Sequence, residues 1–188
     1  TAVALPLMAI GPCAAPQSQQ ALQAARWAAS TPGYYRAVMF VSGNAVQYFF
    51  ESNQPLAHDS PRLLAPDTRA WTPGPGTARA LLEAGVPAHQ IDGPAADSAQ
   101  FESESLWQSV QSQVRAGDRV LIVRGDSPAP EIHTPSTQGA GREWLAARLR
   151  EAGAQVELLA VYQRLLPQWT PEQRDLARAA AADGSLWL

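Results

Sequence analysis

The sequence predicts an α/β protein, a parallel sheet with helices on both faces, and three observations carry that prediction. Short apolar runs, A-V-M-F-V at residues 37–41 and R-V-L-I-V at 119–123, show no polar alternation and suit strands buried on both faces. Stretches with apolar residues at helical spacing separate such runs, so strand and helix alternate four or five times between residues 37 and 162. The runs end on small-residue turns, Ser42-Gly43-Asn44 foremost.

Taken in order, residues 2–10 are apolar but contain Pro6, which predicts an edge or linking strand closed by Gly11-Pro12. Leu22, Ala25 and Ala29 give residues 17–29 a helical stripe, ended by S-T-P-G. Residues 37–50 predict strand, turn and helix in one unit, with Ser42 or Asn44 to cap the helix. A Pro-, His- and Asp-bearing loop is expected over 52–67. A short strand at 69–72 runs into Pro73-Gly74-Pro75-Gly76-Thr77, then a helix over 78–84 stops at Gly85, and 89–92 predicts a brief strand. The longest helix is expected over 98–115, with Leu106, Val110 and Val114 on one stripe. The strand at 119–123 is ended by Arg124-Gly125, and a Pro-, Ser- and Thr-rich excursion over 126–141 follows. Residues 142–152 predict a helix with Trp144, Leu145 and Leu149 inward, and 155–162 a further strand. Thr170-Pro171-Glu172-Gln173 reads as a capping box with Pro at the first helical position, opening a helix to about Ala181.

Composition narrows the function. The 188 residues suffice for one ample domain or two small ones. Formal net charge is −3, which gives no reason to expect nucleic acid or an acidic membrane surface as partner. Every basic residue is Arg; without Lys these residues offer neither a Schiff base nor a P-loop lysine. One cysteine, Cys13, excludes an internal disulfide framework and suits a reducing cytosol. His58, His89 and His133 have no ligand spacing, so no metal site is expected. No stretch approaches the roughly 18 apolar residues of a membrane span. The chain opens on an apolar run and stops on Ser185-Leu186-Trp187-Leu188, and both ends are expected to be cut.

In parallel sheets, ligands lie beyond the carboxyl ends of the strands. The turns at 42–44, 74–77, 94–98 and 124–125 all fall there, on one rim, where helix starts offer backbone N–H groups to anions. A dinucleotide site fits poorly, because Gly74-Pro75-Gly76 lacks the G-x-G-x-x-G spacing.

At this point the pieces resemble the uroporphyrinogen-III synthase family. They are Leu5-Pro6, F-V-S-G-N-A-V at 40–46, P-G-P-G-T-A-R-A-L-L-E-A-G at 73–85, Asp97-Ser98, V-L-I-V-R-G at 120–125, G-R-E-W-L at 141–145 and G-A-Q-V-E-L-L-A-V-Y-Q-R at 153–164. The resemblance implies two Rossmann- or flavodoxin-like domains joined by a two-stranded ladder, with the substrate between them. Residues 13–160 would be the continuous domain, and 1–12 with 161–188 the ladder plus remnants of a second domain that is mostly missing. Residues 4–10 and 158–164 would pair in the ladder. It also implies a cytoplasmic, monomeric, cofactor-free lyase that closes hydroxymethylbilane with inversion of ring D and loss of water. The rival reading is a non-enzymatic module of the same fold binding an anionic metabolite.

The bilane carries eight carboxylates, which calls for distributed donors. Ser42, Gly43, Asn44, Gly76, Thr77, Arg124 and Gly125 are therefore the candidate substrate-binding residues, and Tyr162 on the ladder strand the candidate catalytic one, helping the ring-A hydroxyl depart. Each has a plainer reading: ordinary helix capping, a snorkelling Arg124, a half-buried strand Tyr162. Arg142 is a weaker ligand candidate at a helix start, and Cys13 is expected to be inert. Trp27, Trp71, Trp107 and Trp144 are expected in core or half-buried positions.

Overall fold

A computed structural model describes residues 5–50, 63–94, 103–126 and 137–182. The chain runs β1 (Ala9–Pro12), α1 (Pro16–Ser30), β2 (Ala37–Phe40), α2 (Gly43–Phe50), β3 (Arg69–Trp71), α3 (Pro75–Glu83), β4 (Ile91–Asp92), α4 (Ser103–Val110), β5 (Arg119–Gly125), α5 (Thr137–Glu151), β6 (Gln155–Leu165) and α6 (Pro171–Ala182). The six strands form one sheet in the order β1-β6-β5-β2-β3-β4. All neighbours are parallel except β1 and β6. The four residues of β2 are all buried, as are Val120–Val123 of β5, in keeping with their uninterrupted apolar runs.

Strand order reverses at β2. From β2 the chain winds outward through β3 and β4, then returns to β5 on the other flank of β2 and winds to β6. Right-handed crossovers of opposite direction place their helices on opposite faces. One face accordingly buries Leu22, Ala25 and Ala29 of α1, Val46 and Phe49 of α2 and Leu81 of α3 against Val38, Phe40, Leu121 and Val123. The other buries Leu106 and Val110 of α4 and Leu145 and Leu149 of α5 against Met39, Trp71, Val120 and Ile122.

Several boundaries differ from those the sequence predicts. α4 stops at Val110 and tightens into a 3₁₀ turn over Gln111–Gln113 instead of running on to 115. α3 starts at Pro75 and α5 at Thr137, because Pro75 fits a first helical position and Gly141 is tolerated within a helix. Arg142 thus lies in the second turn of α5 rather than opening it. The ladder pairs Ala9–Pro12 with Leu165–Tyr162, so it lies further along both strands than expected, and Gly11-Pro12 belong to β1. Trp71 is fully buried and Trp107 and Trp144 half-buried, but Trp27 is 67% exposed, edge-on to Tyr34 on the open side of α1. The capping box forms: Thr170 N–H donates to Gln173 Oε1 (2.9 Å) and Gln173 N–H to Thr170 Oγ1 (3.2 Å). The loops expected at 52–67 and 126–141 fall mostly, and Asp97-Ser98 wholly, outside the described residues.

Arg26 of α1 closes the carboxyl end of α2, its guanidinium donating to the Phe49 carbonyl and, at 3.3 Å, to that of Tyr48. These are carbonyls that an ending helix leaves without partners. Arg26→Met is expected to cost about 1–3 kcal/mol, read from urea denaturation of the full-length protein.

At the amino ends of the strands, Glu157 accepts from Tyr35 Oη (2.6 Å) and Arg119 Nη2 (2.6 Å), with the Arg119 guanidinium over the Tyr34 ring at 4.3 Å. Burial, then the hydrogen bond to the Glu157 carboxylate and its charge, pushes the Tyr35 hydroxyl well above the ordinary value of 10.0, against a smaller opposing effect of Arg119. A folded pKa above the unfolded one contributes stability that is complete below the unfolded value and is lost as pH climbs through the folded one. Stability should therefore fall as pH rises above about 10, and Tyr35→Phe should flatten that decline in urea titrations at stepped alkaline pH.

Candidate functional site

The parallel strands β2, β3, β4, β5 and β6 end on one edge of the sheet, and the turn after β2 stands at the point where strand order reverses. That is the position at which open α/β sheets hold ligands. Ser42 begins α2 there. Its Oγ accepts the Ala45 N–H at 3.2 Å and its carbonyl the Val46 N–H at 3.2 Å, the geometry of an N-cap. The Gly43 and Asn44 N–H groups head the helix, with no helical carbonyl one turn behind them. One strand over, the Thr72 hydroxyl bonds both the Gly74 carbonyl (2.9 Å) and, as acceptor, the Gly74 N–H (3.3 Å), folding the turn that starts α3. Gly76 and Thr77 then lie inside the first turn of α3 rather than in the loop before it, with Gly76 exposed and the Thr77 side chain buried.

Tyr162 meets Ser42 across the switch point, Oη to Oγ 3.2 Å. Its side chain is buried, only 7% exposed, with the hydroxyl beside Ser42. A bulge produces this placement. Arg124 pairs with Ala160 but Gly125 with Tyr162, so Val161 is an extra residue on β6. Strict alternation from Leu159 and Val161 would send Tyr162 to the other face; the extra residue turns it into the same cluster as those two. Gly125 then lies directly against the ring: a Cβ on Gly125 would stand 2.5 Å from Tyr162 Cε2 and 2.6 Å from Cζ.

Arg124 does not join this group. Arg124 and Gly125 belong to β5 rather than to a turn after it. With Val123 in the cluster that holds Tyr162 and Ile122 in the opposite one, the pleat sends Arg124 to the α4/α5 face. Its Nε is buried without a hydrogen-bond partner among the described residues. Cys13 is buried, and burial with the nearby Asp126 carboxylate pushes its thiol up, which makes it a poor nucleophile at neutral pH. Among the described residues no group of three or more His, Cys, Asp or Glu is placed to hold a metal ion, and no helix is long and apolar enough to cross a membrane.

The family model described as Uroporphyrinogen-III synthase HemD matches residues 1–186. The chain belongs to the uroporphyrinogen-III synthase family. Among solved structures it is similar to a mutant selenomethionine form of uroporphyrinogen III synthase from the extremely thermophilic bacterium Thermus thermophilus, with 20% identity and a TM-score of 0.51, over 96% of this chain and 59% of that one. It is also similar to uroporphyrinogen-III synthetase from Helicobacter pylori, with 17% identity and a TM-score of 0.47, over 92% of this chain and 60% of that one. No curated protein matches. The chain thus spans about three-fifths of the length of these structures, and the Thermus likeness at that identity speaks to the fold.

Tyr48 is the neighbour of the site that sequence reasoning missed. It sits on α2, with its ring stacked on that of Tyr162 at 6.0 Å between centroids and 29° between planes, and its hydroxyl donates to the Ile10 carbonyl of β1 at 3.1 Å. In the sequence it reads as one more apolar residue in Y-F-F, and nothing local says that it reaches two other strands.

Proposed function

We propose that the full-length protein converts hydroxymethylbilane to uroporphyrinogen III, and the observation that carries this reading is the family match over residues 1–186. The proposed reaction breaks the C–O bond of the ring-A hydroxymethyl group, with the departing oxygen taking a proton and leaving as water. The resulting azafulvene is attacked by the substituted α-carbon of ring D, and the spiro intermediate fragments and recloses with ring D inverted. Because the free bilane closes readily without inversion, the protein's contribution is orientation and exclusion of water more than acid strength.

In this reading the Gly43, Asn44, Gly76 and Thr77 N–H groups hold substrate carboxylates at two adjacent helix starts. Ser42 and Gly125 shape the rim, and Arg124, on the other face of the sheet, would meet a carboxylate there. Tyr162 donates toward the departing ring-A oxygen. Its pairing with Ser42 is compatible with that role: either hydroxyl can be the donor, and with Ser42 donating to Tyr162 Oη the phenol hydrogen is left for the substrate. Residues 13–160 act as the continuous domain, and 1–12 with 161–188 as the linker ladder, to which the antiparallel β1–β6 pair belongs, plus remnants of a discontinuous second domain. A monomeric, cytoplasmic protein that uses no cofactor completes the proposal.

The test is incubation of full-length protein with freshly generated hydroxymethylbilane, followed by separation of the isomers. Type III product is expected; type I product alone would sink the proposal.

A further inference from the structure

The Tyr162 ring is confined on more than one side, and one of its neighbours, Tyr48, has no part in the proposed chemistry. Gly125 lies so close to the ring that no Cβ fits between them. Tyr48 stacks against it, and Tyr48 is itself fixed at its far end by donating to the Ile10 carbonyl of the edge strand β1. Ser42 and Tyr48 belong to one short helical segment and stand six residues apart, about 9 Å at helical rise. One segment therefore touches Tyr162 twice, through the Ser42 hydroxyl at the phenol oxygen and through the Tyr48 ring at the phenol face. Two contacts from a rigid element fix both the position and the tilt of a ring, which one hydrogen bond cannot do.

We propose that Tyr48 is a positioning residue: by stacking on Tyr162 while anchored to Ile10, it aims the Tyr162 hydroxyl at the rim. The proposal rests on the reading of Tyr162 as proton donor. Its energetic logic is that a donor displaced by about 1 Å can lose up to 10²-fold in rate, whereas substrate held elsewhere on the rim keeps its affinity. Tyr48 touches no substrate in this account; it acts only through Tyr162.

The experiment is a double-mutant cycle in the full-length protein. Tyr48→Leu is expected to lower kcat about tenfold with KM within about twofold, and Tyr48→Phe, which keeps the stack and loses the Ile10 bond, by less. Added to Tyr162→Phe, Tyr48→Leu should cost nothing further, since the hydroxyl it aims is gone. An equal loss in both backgrounds, or an unchanged kcat, overturns the proposal. Ring placement is read separately in the resting protein, by labelling the tyrosines with ¹³C at Cζ and assigning Tyr162 by its disappearance in Tyr162→Phe. A Tyr162 resonance that shifts in Tyr48→Leu supports the proposal, and one that stays put overturns it whatever the activity. Wild-type protein that yields no type III isomer would instead overturn the function proposed above, leaving the contact between the two rings to be judged by the resonance.

Discussion

Gly125→Ala should cut turnover by about 10- to 100-fold, no more than loss of the Tyr162 hydroxyl itself, and cost about 1–2 kcal/mol of stability. Gly125 is not needed for its backbone: among the described residues the glycines with positive φ are Gly33, Gly85, Gly117 and Gly153. It is needed for space, since an added Cβ would lie within 3.0 Å of three atoms of the Tyr162 ring and its hydroxyl. The end of a flexible side chain would swing away at little cost, but this ring is bonded at its hydroxyl to Ser42 and stacked on Tyr48. Overpacking of this kind typically costs about 1–3 kcal/mol, against which the stiffer unfolded chain returns about 0.4–1. The ring must shift for the methyl to fit, and a shift of about 1 Å at the hydroxyl is what the rate would register. Denaturant titration and steady-state turnover check the two halves. A variant with wild-type turnover would show that the placement of the ring is irrelevant to the reaction. Gly76→Ala is the contrast for stability: a Cβ there meets nothing within 4 Å, and the first turn of α3 should gain about 0.5–1 kcal/mol.

Tyr162→Phe is expected to lower kcat by about 10- to 100-fold without abolishing it, and to leave KM and the fold nearly unchanged. A positioned acid contributes typically about 10²–10⁴-fold, and the lower end applies where conformational control carries most of the work. Structurally the change removes one hydrogen bond at a half-buried partner, about 0.5–1.5 kcal/mol, and Ser42 keeps the Ala45 N–H as donor. Wild-type turnover in this variant would take Tyr162 out of the mechanism. Complete loss in a folded protein would make its hydroxyl indispensable and shift weight from orientation to proton transfer.

Much of the layering is legible in the sequence. The runs at 37–41 and 119–123 have no polar face to turn toward water, so their residues had to become interior strands, and β2 and β5 are the two central ones at the switch point. Ser42 capped α2 as its type and place require, and Thr170 with Gln173 closed α6 reciprocally. Helix limits were less legible. α4 was expected to run past Val110, because Val114 continues its stripe, yet the segment tightens to a 3₁₀ turn whose Gln113 carbonyl is taken by Arg36 Nε at 3.0 Å. A partner 77 residues away outweighs a local periodicity.

By itself the sequence determined most of the strand segments, where α1, α2 and α6 start, that the turns after β2 and β3 share one edge, and the family. These depend on neighbours in the chain: side-chain period, turn chemistry and capping act within a few residues. Only the tertiary structure decided which candidates meet. One extra residue at Val161 reverses the parity of β6 and brings Tyr162 to Ser42, 120 residues earlier, while Arg124 on the neighbouring strand is left on the opposite face. Facing in a strand has a period of two, so a single bulge undoes it, and bulges are set by pairing between distant strands. The ring of Tyr48 against Tyr162 follows from the same pairing and could not be read from either segment alone.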